Sequence, residues 1–161
     1  MKKCLFIVGF ALCSVISQAQ KISRWKITDV ENLMANKDSV LVINFWATFC
    51  KPCNHELPYF ISTVKKYEKQ KVKLVLVSLD LPDYYPARIR SFIKEKKYTY
   101  AQQVWLNETN ADYFCPKVSE KWSGAIPATI IINNKTGYRK FFEEEMNEVE
   151  FENAVKEALK N

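Results

Sequence analysis

Apolar residues recur along the chain with two different periods, and their alternation points to a fold. Residues 40–46, Val-Leu-Val-Ile-Asn-Phe-Trp, form a β-branched and apolar run broken only by Asn44. A run with no polar face predicts a strand buried on both sides, inside a sheet covered by helices. Residues 72–79 and 128–133 predict two more such strands, and 101–106 a shorter one. Asn134-Lys135-Thr136-Gly137 is a turn signal. The strand-like stretch 138–143 follows it, so the two form a hairpin. Helical spacing fills the intervals. Residues 27–37 place Val30, Leu33 and Met34 on one face behind Thr28 or Asp29 as N-cap. Residues 50–70 predict a helix kinked at Pro58, and 85–97 one that tolerates Pro86 in its first turn. Residues 109–122 predict mixed helix and loop, broken near Pro116. Residues 147–159 close the chain as an amphipathic helix, with Phe151, Ala154, Val155, Ala158 and Leu159 along one face.

The order α-β-α-β-α-β-α-β-β-α predicts an α/β fold. A central mixed β-sheet is covered by helices on both faces, and a β-hairpin and helix end the chain. At 161 residues the chain suits one domain. No repeat, low-complexity stretch or interdomain linker appears.

The first residues follow another pattern. Lys2 and Lys3 precede a mostly apolar run of 12 residues, 5–16, too short to span a bilayer. Ser17-Gln18-Ala19 then puts small residues at −3 and −1 for cleavage before Gln20. This predicts a secretory signal peptide over 1–19 and a mature domain over 20–161, soluble in the periplasm with no transmembrane span. Cys13 follows Leu12 where a lipid-attachment cysteine follows a small residue, so a lipid-anchored form is the lesser reading.

Charge changes the picture little. Loss of Lys2 and Lys3, with no acid, takes the formal charge from +6 to +4. The densest basic runs, 65–69 and 94–97, are interleaved with acids and carry no nucleic-acid motif, so no nucleic-acid partner is expected. Cysteine use is more informative. Processing leaves Cys50, Cys53 and Cys115. A stapled scaffold needs an even and larger count, whereas one C-x-x-C pair and one leftover thiol suit a redox pair.

Cys50-Lys51-Pro52-Cys53 falls where strand 40–46 gives way to a helix. A sulfur at a helix start faces unpaired backbone N–H groups and the positive end of the helix dipole. Both favour thiolate, the nucleophile, and such sites hold cysteine pKa values at roughly 3.5–7.5. Cys50 is thus the attacking sulfur and Cys53, about one turn on, the resolving one. Metal readings fare worse. There is no second C-x-x-C, Asn54 spoils a haem-attachment pattern, and the lone His55 lies on the same helix. No cofactor or metal is expected.

Asn44-Phe45-Trp46-Ala47-Thr48-Phe49-Cys50-Lys51-Pro52-Cys53 resembles the active-site segment of thioredoxin-like proteins, most closely the exported TlpA/ResA-like branch. Gly124-Ala125-Ile126-Pro127-Ala128-Thr129 resembles that family's cis-proline loop. The likeness covers roughly residues 25–160. It implies a thioredoxin-like fold and thiol–disulfide exchange, with Pro127 cis beside the dithiol and the Ile126 backbone pairing with an extended substrate. Asn44 stands where cytoplasmic thioredoxins carry a buried aspartate, and Glu56 fits the branch's glutamate, a proton relay for Cys53. Its alternative is a helix-surface carboxylate favoured by the nearby N-terminus. Trp46 and Phe49 would flank the dithiol and offer apolar surface, together with Lys51 and Pro52. Trp46 also suits core packing. Cys115 reads as a buried or loop thiol, and His55 as a solvated residue.

The implied activity is an exported thiol–disulfide oxidoreductase acting on protein disulfides or dithiols. Reduction is its expected direction, extending to cytochrome c maturation, with a membrane-bound thiol donor and a monomeric state. A copper carrier using the same cysteines is the alternative. Peroxiredoxin chemistry needs a proline and a threonine or serine where Ile43 and Ala47 stand.

Overall fold

A computed structural model describes residues 21–160. The expected signal peptide and its cleavage point lie outside them. Six strands form one sheet in the order β1-β4-β3-β2-β5-β6. The strands are β1 (Ser23–Trp25), β2 (Val40–Trp46), β3 (Val72–Ser78), β4 (Gln102–Leu106), β5 (Ala128–Asn133) and β6 (Tyr138–Phe142). β1, β4, β3 and β2 run parallel to one another, whereas β5 is antiparallel to both β2 and β6. The helices are α1 (Ile27–Met34), α2 (Lys51–Lys66), α3 (Ala87–Lys96), α4 (Ala111–Val118) and α5 (Glu148–Leu159). The α/β architecture, mixed sheet and closing hairpin and helix match the sequence pattern.

β2 organises both faces. Successive strand side chains point to opposite sides, so its odd and even residues enter different cores. Val40, Val42 and Trp46 pack with Leu57 and Phe60 of α2, Ile89 and Ile93 of α3, and Phe151 and Val155 of α5. Leu41, Ile43 and Phe45 pack with Ile27 and Val30 of α1 and Phe114 and Val118 of α4. Asn44 shares the even parity, which aims it at α2.

Several elements differ from expectation. β1 leaves no pattern in the sequence, because three half-exposed edge residues are too few to show a period. α1 starts after Lys26, whose N–H bonds the Asp29 carboxylate at 2.8 Å, so Asp29 closes the first turn from inside the helix. α2 stops at Lys66, and a short 3₁₀ turn, Glu68–Gln70, completes the predicted span. Pro116 does not break α4, which continues to Val118. The carbonyl it leaves without an amide belongs to Asp112, on an exposed turn open to water. Pro58 likewise sits inside α2. The carbonyl freed there, that of Asn54, accepts the Tyr98 hydroxyl at 3.2 Å.

Candidate active site

The β2–α2 junction delivers the two cysteines. Cys50 is the N-cap of α2, and its Sγ accepts the Cys53 N–H at 3.2 Å. The sulfur therefore lies on the axis of the helix's unpaired donors. Cys50 and Cys53 form a disulfide. Cys50 keeps 7% of its surface open while Cys53 keeps none, so an incoming sulfur meets Cys50 first. Lys51 and Pro52 are exposed beside it, and Phe49 is 63% exposed.

Trp46 corrects the expectation of a contact surface. It is wholly buried, packed against Phe92 and Tyr98. As the last residue of β2 it keeps the strand's inward direction, and the chain turns outward only after Ala47 and Thr48, both also buried. Apolar surface at this end comes instead from Phe49 and from Leu81, which is 60% exposed.

Glu56 is buried, not on the helix surface. One oxygen accepts Asn44 Nδ2 at 2.7 Å and the other the Met146 N–H at 3.1 Å. Burial pushes its pKa up to about 7, against the lowering pull of those two donors and with a smaller push from Glu145. Asn44 Nδ2 also donates to Thr129 Oγ1 at 2.9 Å, and its Oδ1 has no hydrogen-bond partner. Glu56 lies three positions after Cys53, which places them on one helix face.

The Ile126–Pro127 peptide is cis, as is Tyr85–Pro86. Pro127 is buried and Ile126 half-buried at the entrance to β5. β5 lies beside β2 with Ala128 opposite Phe45, which brings the proline to the dithiol end of the sheet. His55 is exposed and pairs with Glu145. Cys115 is buried against the Gly124 position, and burial, with Glu143 and Asp112, pushes its pKa up to about 11.

Two supports leave little trace in the sequence. Asp80, buried just past β3, accepts the Thr48 N–H at 3.1 Å, the Thr48 hydroxyl at 2.6 Å and the Ser78 hydroxyl at 2.8 Å. Asn54 Nδ2 donates to the Thr48 and Cys50 carbonyls at 3.2 and 2.8 Å. Together they hold the bend that ends in Cys50. The only signal for Asp80 is an acid closing an apolar run, and Leu-Asp-Leu-Pro-Asp reads as an ordinary loop.

A parallel sheet with an antiparallel hairpin, a dithiol at a helix start and a cis-proline at the same end of the sheet define a thioredoxin-fold protein of the redox-dithiol kind. The chain belongs to the AhpC/TSA family, which matches residues 17–137. It is 32% identical over 99 residues to thiol-disulfide oxidoreductase ResA of Bacillus cereus, spanning 55% of this chain and 56% of that protein. It is 35% identical over 65 residues to sporulation thiol-disulfide oxidoreductase A of Bacillus subtilis, spanning 40% of this chain and 39% of that protein. The chain thus spans little more than half the length of the first relative and two fifths of the second. Among solved structures, a thioredoxin-related protein from Neisseria meningitidis serogroup B superposes with a TM-score of 0.62 at 30% identity, covering 78% of this chain and 89% of that one.

Proposed function

We propose that this protein is an exported thiol–disulfide oxidoreductase that reduces protein disulfides through Cys50 and Cys53. The observation that carries the reading is the Cys50 sulfur at the start of α2, accepting the Cys53 amide, with its partner sulfur buried behind it. In the reduced protein, the Cys50 thiolate attacks a substrate disulfide. A Cys50–substrate bond forms and one substrate thiolate leaves. Cys53, losing its proton, then attacks the Cys50 sulfur; the Cys50–Cys53 bond forms and the second substrate thiolate leaves. The substrate gains two electrons and the dithiol loses them.

Glu56 is the proton acceptor for Cys53 in this scheme. A carboxyl with a pKa of about 7 takes up and gives back a proton near neutrality. The unpartnered Asn44 Oδ1 supports the reading, since turning that amide over offers an acceptor to the neutral acid. Ile126 and Pro127 receive the substrate backbone, and Phe49, Lys51 and Pro52 border it.

The leader pattern over 1–19 puts residues 20–161 in the periplasm. No helix among the described residues is long and apolar enough to cross a membrane. Electrons then reach the dithiol from a membrane-bound thiol donor, the protein acts as a monomer, and cysteines awaiting cytochrome c assembly are among its targets. The deciding measurement is the Cys50–Cys53 potential in a glutathione buffer. A reductant lies well below about −220 mV, whereas a value near about −120 mV would make it an oxidant. Failure to form the disulfide at all would overturn the redox reading.

A further inference from the structure

Glu143 follows Phe142, the residue of β6 that pairs with Thr129 of β5. Its carboxylate reaches back to the turn that precedes Pro127. A single oxygen, Oε1, accepts the Ser123 N–H at 2.9 Å, the Ala125 N–H at 3.1 Å and the Ser123 hydroxyl. The Ala125 carbonyl is taken too, by Trp122 Nε1 at 2.8 Å. Both backbone groups of Ala125 are therefore held by side chains, and Gly124 between the two donors sits at φ +100°. Dipoles converging on one point repel each other unless a negative charge occupies it, and charge-assisted bonds of this kind are the stronger class. The bonds from Ser123 and its neighbours outweigh the effect of partial burial and hold the carboxyl below the usual range, so it is ionised at neutral pH.

The next residue along is Ile126. We propose that Glu143 is a positioning residue for substrate engagement: by clamping residues 123–125 it fixes the Ile126 backbone edge at which an extended polypeptide disulfide aligns with Cys50. This rests on the oxidoreductase reading and adds that the protein selects an extended peptide over a small disulfide through a clamp which itself touches no substrate. The β6 hairpin thereby serves the site, although none of its residues approaches the sulfurs in sequence.

The test uses the pre-reduced protein and two probes. One is a short extended peptide whose central cysteine carries a disulfide-linked fluorescence quencher; the other is bis(2-hydroxyethyl) disulfide. Glu143→Ala should raise the half-saturating peptide concentration about tenfold with a maximal rate within about twofold, as expected for losing hydrogen bonds to a charged acceptor. The peptide-to-small-disulfide preference should fall by the same factor, and the Cys50–Cys53 potential should stay put. Glu143→Gln keeps an acceptor oxygen but not the charge and should recover only part of the loss. If Glu143→Ala does not fold, Ser123→Ala carries the test with a smaller rise of the same sign. An unchanged peptide half-saturation in a folded variant overturns the proposal, as does a Gln variant as impaired as the Ala one. If the wild-type protein reacts with neither probe, the failure belongs to the oxidoreductase reading.

Discussion

Glu56 occupies a position where its charge costs stability. Its pKa rises from an ordinary 4.5 to about 7 because the carboxylate is buried. The folded protein therefore holds this proton more tightly than the unfolded chain does. The contribution is fully present below about pH 4.5 and is lost as pH climbs to 7, a loss on the order of 3 kcal/mol. Glu56→Gln should flatten that part of the stability–pH curve in urea unfolding and stand above the wild type at pH 8. In the reduced protein the same variant should shift the titration of the cysteine pair. An unchanged thiol titration removes Glu56 from the proton path while leaving the stability effect intact.

At the scale of elements, the β2–α2 bend depends on a carboxylate from a neighbouring strand. Asp80→Ala would leave the Thr48 amide and two hydroxyls without their acceptor at a buried site. The expected cost is about 2–4 kcal/mol in denaturant unfolding, and the reduced protein should react more slowly with a small disulfide as the Cys50 sulfur loses its fixed place at the helix start. Asp80→Asn, which keeps an acceptor, should cost less on both counts. A reaction rate indifferent to Asp80→Ala would mean that Asn54 alone holds the bend. The contrast between β2 and Asp80 shows what the sequence discloses. A seven-residue apolar run declares a doubly covered strand, its parity aims Asn44 toward α2, and C-x-x-C after it declares the chemistry. These signals are local. The supports join residues far apart: Thr48 to Asp80 across 32 positions, Ala125 to Glu143 across 18, Glu56 to Met146 across 90. No periodicity records such pairings. β1 is illegible for a related reason, since its three residues become a strand only by adding to the edge of β4.

For the whole molecule, the arrangement of the sheet has a consequence in time. β2 carries the dithiol early in the chain, yet β5, which brings Pro127 beside it, pairs with β2 across 85 positions at Asn44 and Thr129. Contacts of such long sequence separation form late in folding, because the intervening loop must be closed first. Until then the cysteine pair is accessible, and Cys115 lies on the stretch of chain still unplaced. Three cysteines in residues 20–161 allow three pairings, two of them wrong. Cys115 leaves the competition only when α4 docks and the thiol is buried against Gly124. Cys115→Ala should therefore raise the yield of the Cys50–Cys53 species when denatured, reduced protein refolds in an oxidising buffer, with equal yields counting against this order of events. The docking that buries Cys115 is thus also the event that ends a period of risk, and chain order becomes a hazard the fold must outrun.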